Sequence, residues 1–139
     1  MRFMIIVKAT KDSEVGVMPE EKLFATMADY HEQLAQAGAL LDGSGLQPRS
    51  KGWRIRYNGK QRTVIDGPFA ETKELVAGYT LIQAKSREEA LAWTKRFPNP
   101  AVDGGEGEIE VRQLYELEDF GPGDAINRFK TLRQAGSQR

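Results

Sequence analysis

His31 and the stretch DGPFAETKE at positions 66–74 hold the residue types in this chain best suited to chemistry. Histidine is the one side chain whose ordinary pKa lies near neutrality, so a proton can move on and off it at working pH. Such a base needs a partner that fixes its tautomer, usually a carboxylate, and it needs a pocket. Asp66 suits the part, because an Asp-Gly-Pro turn would hold its carboxylate at the end of a strand. If the helix carrying His31 crosses the sheet near the strand ends, a His31–Asp66 pair lines a cleft there. Each residue also has a plainer reading. A histidine at the edge of an apolar helical stripe is often only a hydrogen-bonded, half-buried side chain, and Asp66 could simply stabilise its own turn. Phe69 would tuck the loop down as a wall of the pocket and meet a substrate there. Glu71 and Glu74 read as a solvated turn or cap, and Lys73 as a rim charge. Arg49 and Arg54 are candidates for pairing an anionic group of a substrate.

Composition narrows the field. Twenty basic and twenty acidic side chains cancel over 139 residues, so no global field draws the chain to nucleic acid or to an anionic membrane. The absence of cysteine removes disulfides, thiol catalysis and cysteine-ligated zinc together. With a single histidine, a transition-metal site is not expected either, since imidazole and thiolate are the usual ligands. An Mg²⁺ site from Asp66, Glu71 and Glu74 has no recognisable spacing. No phosphate-binding loop, dinucleotide fingerprint or nucleophile elbow occurs, and no cofactor is expected. The opening MRFMIIVKAT has too short an apolar core for a signal peptide or a membrane span. These features lead to the expectation of a cytoplasmic protein.

The elements that must position these residues follow from patterning. Residues 1–8 alternate but are apolar on both faces in part, as in a doubly covered strand. Residues 10–18 read as loop. A helix opens at Pro19, a residue suited to the first helical position, and Leu23, Met27, Tyr30 and Leu34 form its buried stripe. It ends at Ala37-Gly38. A strand begins at Ala39 and breaks near Gly43 and Gly45. Trp53, Ile55 and Tyr57 alternate with Arg54 and Arg56 before Asn58-Gly59, the strongest two-residue hairpin signal. Residues 61–65 return, and residues 75–84 form the next strand. Ser86 with Glu89 makes a capping box for a second helix that stops against Pro98. A last strand carries Ile109, Val111 and Tyr115. The aromatic side chains Trp53, Tyr57, Tyr79 and Trp93 read as core and dimer contacts.

The order strand, helix, strands, helix, strand predicts an α+β fold, a ferredoxin-like βαββαβ plan with an inserted β-hairpin. The domain spans residues 1–120, and residues 121–139 form a tail that could hold a short helix through Ile126, Phe129 and Leu132. Helices on one sheet face leave the other to be covered, and a second copy is the natural cover. A homodimer is therefore expected.

Asp66-Gly67-Pro68-Phe69, then Glu71-Thr72-Lys73-Glu74 and Gly78-Tyr79, resemble the signature of the DGPF proteins, a branch of the YCII-related family. The strand-like start RFMIIVK, Leu46-Gln47-Pro48 and Ile109-Glu110-Val111-Arg112 fit the same pattern. The resemblance implies a ferredoxin-like fold that dimerises as an α/β barrel. It also implies an active site built from a histidine on the first helix and an aspartate, which fall on His31 and Asp66. Relatives in the wider group include a dehydrochlorinase acting on a hydroxylated, chlorinated ring, and the fold resembles that of muconolactone isomerases. Some DGPF proteins resemble products encoded beside, or fused to, extracytoplasmic sigma factors, but this chain has no sigma-like or helix-turn-helix region. Two functions are therefore in play. One is a cofactor-independent lyase or isomerase acting on a small organic molecule through His31 and Asp66. The other is a non-catalytic small-molecule or protein-binding regulatory module.

Overall fold

The computed structural model describes residues 1–67 and 75–137. Phe69 and the charged residues Glu71, Lys73 and Glu74 lie outside them. The fold is a mixed α+β fold. Its main sheet has four antiparallel strands in the order β2-β5-β1-β6. These are β1 (Arg2–Lys8), β2 (Leu40–Gly45), β5 (Val76–Gln83) and β6 (Ile109–Gln113). The remaining strands, β3 (Trp53–Asn58) and β4 (Gln61–Asp66), pair, among the described residues, only with each other as a separate ribbon.

Alternation decides which face is covered. Phe3 and Ile5 of β1 stand opposite Ile82 and Thr80 of β5, and all four are buried. Met4 and Ile6, facing the other way, are half-buried, as are Leu81 and Tyr79 opposite them. Helix α2 (Glu21–Gln36) lays Tyr30 and Leu34 on the buried face, and α3 (Arg87–Lys95) adds Ala90 to the same apolar cluster. Tyr30 ties the two helices together: its hydroxyl donates to the Trp93 carbonyl at 2.7 Å. Burial pushes the Tyr30 phenol up to about 12, because desolvation penalises the phenolate.

Local signals mark several ends. Gly38, at φ 72°, takes the left-handed conformation that stops α2. Gly59, at φ 61°, allows the tight turn after which Asn58 pairs Gln61. Ser86 caps α3 by accepting from the Glu89 amide at 3.1 Å. Other expectations shift. Helix α2 begins at Glu21 with Glu20 at the N-cap position, so Pro19 precedes the cap rather than opening the helix. The first loop contains a short helix α1 (Lys11–Glu14), closed by a reciprocal Thr10–Ser13 cap. Strand β2 does not break at Gly43 but pairs with β5 through Gly45, its irregularity falling at Leu41 between Leu40 and Asp42, and β6 ends before Tyr115. The tail forms α4 (Asp124–Ser137). Trp53 and Tyr57 are not core residues: they are 65% and 61% exposed on the ribbon, because β3 never joins the main sheet. Among the described residues, no helix is long and apolar enough to cross a membrane.

Candidate functional site

His31 sits one turn after Met27 on α2, and its Nδ1 lies 2.7 Å from the Met27 carbonyl oxygen. A carbonyl oxygen can only accept, so Nδ1 carries the proton. In the neutral ring the lone pair is then on Nε2. That atom lies 2.9 Å from Thr80 Oγ1, and the hydroxyl donates to it. Thr80 points inward from the middle of β5, 3% exposed, while His31 is half-buried at the helix edge. Tyr30 and Phe97 present their rings edge-on to the imidazole, with centroids 5.7 and 6.3 Å away. Beside the pair runs Gly43 of the edge strand β2. A Cβ there would stand in van der Waals contact with Thr80 Oγ1 at 3.6 Å and His31 Nε2 at 3.7 Å, so the backbone of β2 runs close beside the basic nitrogen. The arrangement is a base hydrogen-bonded to a hydroxyl, with the base's far nitrogen fixed by a third group. Acid–base and hydroxyl-activating sites share this geometry.

Asp66 is elsewhere. It ends β4, pairs with Trp53 across the ribbon and is exposed. The expected His31–Asp66 pairing is not what the imidazole makes, since its two nitrogens bond Met27 and Thr80. The reason is topological: among the described residues β4 pairs with β3 and not with the main sheet, so the sheet does not carry Asp66 to α2. The start of that turn is nonetheless tightly built. The Gly67 amide donates to the Gly52 carbonyl at 3.0 Å, and a Cβ on Gly67 would fall 1.9 Å from the Arg49 carbonyl oxygen. Arg49 in turn pairs its side chain with Glu14 of α1 at 2.9 Å, and its amide donates to the same carboxylate at 3.3 Å. Arg49 thus braces the loops around Gly67. Arg54 is exposed on β3, opposite Ile65. Phe69 lies outside the described residues.

Two clefts have linings that do not include these residues. One, of about 480 Å³, lies between the start of α2 and residues 99–104, lined by Glu20, Leu23, Thr26, Asn99 and Asp103. Glu20 and Asp103 face each other there, and the hydrogen bond and charge from Asp103 raise the Glu20 pKa. The other, of about 560 Å³, is lined by Lys8, Thr10, Asn99, Glu106 and Glu108. The residue that sequence reasoning missed is Thr80. Its signal was the alternation in VAGYTLI, which puts Thr80 on the same face as Ile82 and towards the helices.

A mixed α+β domain with a histidine–threonine pair at its helix–sheet junction is the class these observations define. The chain belongs to the YCII-related domain family, whose domain it matches over residues 1–118. An uncharacterised protein of Rhizobium meliloti (strain 1021) is 30% identical over 97 residues, covering 70% of this chain and 78% of that protein. Helix α4 lies beyond the matched domain.

Proposed function

We propose that this protein is a cytoplasmic, cofactor-independent enzyme of the lyase or isomerase type, acting on a small organic molecule with His31 as its base. One observation carries the reading. Nδ1 is committed to a carbonyl, so in the neutral ring the lone pair is held on Nε2, beside the Thr80 hydroxyl and the backbone of Gly43. In this scheme the Thr80 hydroxyl positions the imidazole and relays its proton. His31 takes a proton next to a carbonyl or ring hydroxyl of the substrate. The imidazolium so formed returns that proton to the product through Thr80, while Asp66, exposed and apart from the imidazole, is the second catalytic candidate and meets the substrate. Arg49, which also pairs with Glu14, and Arg54 are the candidates for an anionic substrate group. The test is a thermal-shift screen of small carbonyl and hydroxylated ring compounds, since a ligand raises apparent stability by mass action. Turnover of each hit is then followed with His31→Gln. Turnover that survives in this variant excludes His31 as the base.

The second reading is a non-catalytic binding module, regulatory in the manner of sigma-factor-linked relatives. It is favoured by both ring nitrogens of His31 already having partners within the chain. Ligands that bind without being turned over, and bind equally well to His31→Gln, would establish it. In both readings the protein is a homodimer whose copies meet across the sheet face of Met4, Ile6, Tyr79 and Leu81. The support is that the helices pack on the opposite face. Leu81→Lys should then halve the mass measured by light scattering.

A further inference from the structure

Helix α1 (Lys11–Glu14) buries none of its own residues, and four residues are too few to hold a helix on propensity alone. What this stretch touches is the chain on either side of positions 68–74. Ala9, just before the helix, donates its amide to the Leu75 carbonyl at 2.9 Å. Glu14, its last residue, pairs with Arg49, and the backbone at Gly67 packs against that same Arg49.

The link from Glu14 to Asp66 is continuous. The Glu14 carboxylate meets the Arg49 guanidinium through Oε1 at 2.9 Å and takes the Arg49 amide on Oε2 at 3.3 Å. Both side chains are mostly buried, Glu14 being 15% and Arg49 19% exposed. Glu14 Oε1 is shut off from solvent, so water cannot stand in for the guanidinium, and losing it would leave a buried charge uncompensated. The Arg49 carbonyl accepts from the Gly52 amide at 2.9 Å, and the Gly52 carbonyl accepts from the Gly67 amide at 3.0 Å. Gly67 follows Asp66 directly, and no Cβ fits between it and the Arg49 carbonyl. Asp66 itself pairs with Trp53, the neighbour of Gly52, in a ribbon that joins no other strand among the described residues.

We infer that Glu14 is a positioning residue: acting through Arg49, it fixes where Asp66 stands against the rest of the domain. The inference rests on the reading of Asp66 as the second catalytic candidate. The main sheet does not hold Asp66, so the base of the ribbon is where its place is set. An ion pair that only stabilised the fold would be felt in every strand. One that positions Asp66 is felt first at Gly52 and Gly67.

Amide hydrogen exchange followed by NMR on Glu14→Gln separates the two. The Gly52 and Gly67 amides should exchange about tenfold or more faster than in the wild type, while the amides of β1 and β5 keep their rates, because the opening is local. Glu14→Asp keeps the charge on a shorter arm; it should quicken the same amides less, and it serves alone if Glu14→Gln does not fold. On a substrate found by screening, Glu14→Gln should lower kcat, and it should cause no further loss of kcat in an Asp66→Asn background, since residues acting through one group are not additive. Unchanged exchange at Gly67 overturns the inference. So does exchange quickened equally in β1 and β5, or a loss of kcat that adds in the double variant. Quickened exchange at Gly67, with Asp66→Asn turning over like the wild type, upholds the positioning role and removes Asp66 from the catalytic reading instead.

Discussion

His31 Nε2 and Thr80 Oγ1 stand 2.9 Å apart across 49 positions of sequence, joining the edge of α2 to the centre of β5. The bond fixes the imidazole from the side opposite the Met27 carbonyl, so neither ring nitrogen is left to Asp66. It also makes the candidate site part of the packed core rather than of the loop after β4. Variants here are therefore expected to report on stability as well as on chemistry.

Thr80→Val removes the hydroxyl while keeping the side-chain shape. Nε2 then loses its donor in a half-buried setting, which should cost about 1–3 kcal/mol, read as a lower midpoint in urea. On a substrate found by screening, His31→Gln should lower kcat by roughly 10²–10⁴-fold, the usual contribution of a positioned base. Thr80→Val should lower it less and should shift the acid limb of the pH–rate profile. A Thr80→Val enzyme with an unchanged profile would remove Thr80 from the proposed mechanism.

Asp66→Asn separates two roles for that carboxylate. Because Asp66 does not touch the imidazole, the His31 limb of the pH–rate profile should stay in place while turnover falls. A displaced limb would mean that Asp66 acts on His31 after all.

Gly67→Ala should be costly. Its Cβ would fall 1.9 Å from the Arg49 carbonyl oxygen, a backbone atom that cannot swing aside. Relief requires the loop at 49–52 to move, and the Arg49–Glu14 pair with it. A loss of about 1–3 kcal/mol is expected, as for other overpacked sites, and the melting temperature measures it. Gly45→Ala is the control, since nothing lies within 4 Å of the added methyl.

Tyr30 gives a pH dependence with a definite sign. Its pKa is raised from 10.0 to about 12 by burial, so the unfolded chain gives up the phenolic proton first as the pH rises. The stability from this group is complete below pH ~10 and is lost as the pH climbs towards ~12. Tyr30→Phe should lower stability near neutral pH by about 1 kcal/mol through loss of the bond to the Trp93 carbonyl. It should also flatten the alkaline decline between those two values. A decline equally steep in the variant would assign it to other groups.

The sequence by itself determined what depends on neighbours along the chain. Gly38 ends α2 because a left-handed residue is needed there, Asn58-Gly59 sets the ribbon register, and Ser86 caps α3; each signal acts within a few residues. The alternation of β1 and β5 likewise exposed the α+β character, because side chains on a strand must take turns between two faces. The short helix at Lys11–Glu14 was local too, but its Thr10–Ser13 cap lacks the usual acidic partner and was passed over as loop. Tertiary structure alone decided the rest. Nothing near Trp53 or Tyr57 tells whether their ribbon joins the main sheet, since pairing depends on which edge is free in three dimensions. The same holds for His31. A strand-end aspartate is the obvious partner in one dimension, yet the sheet order carries β5 beneath α2 and leaves β4 outside, so a threonine 49 positions away takes the place of Asp66.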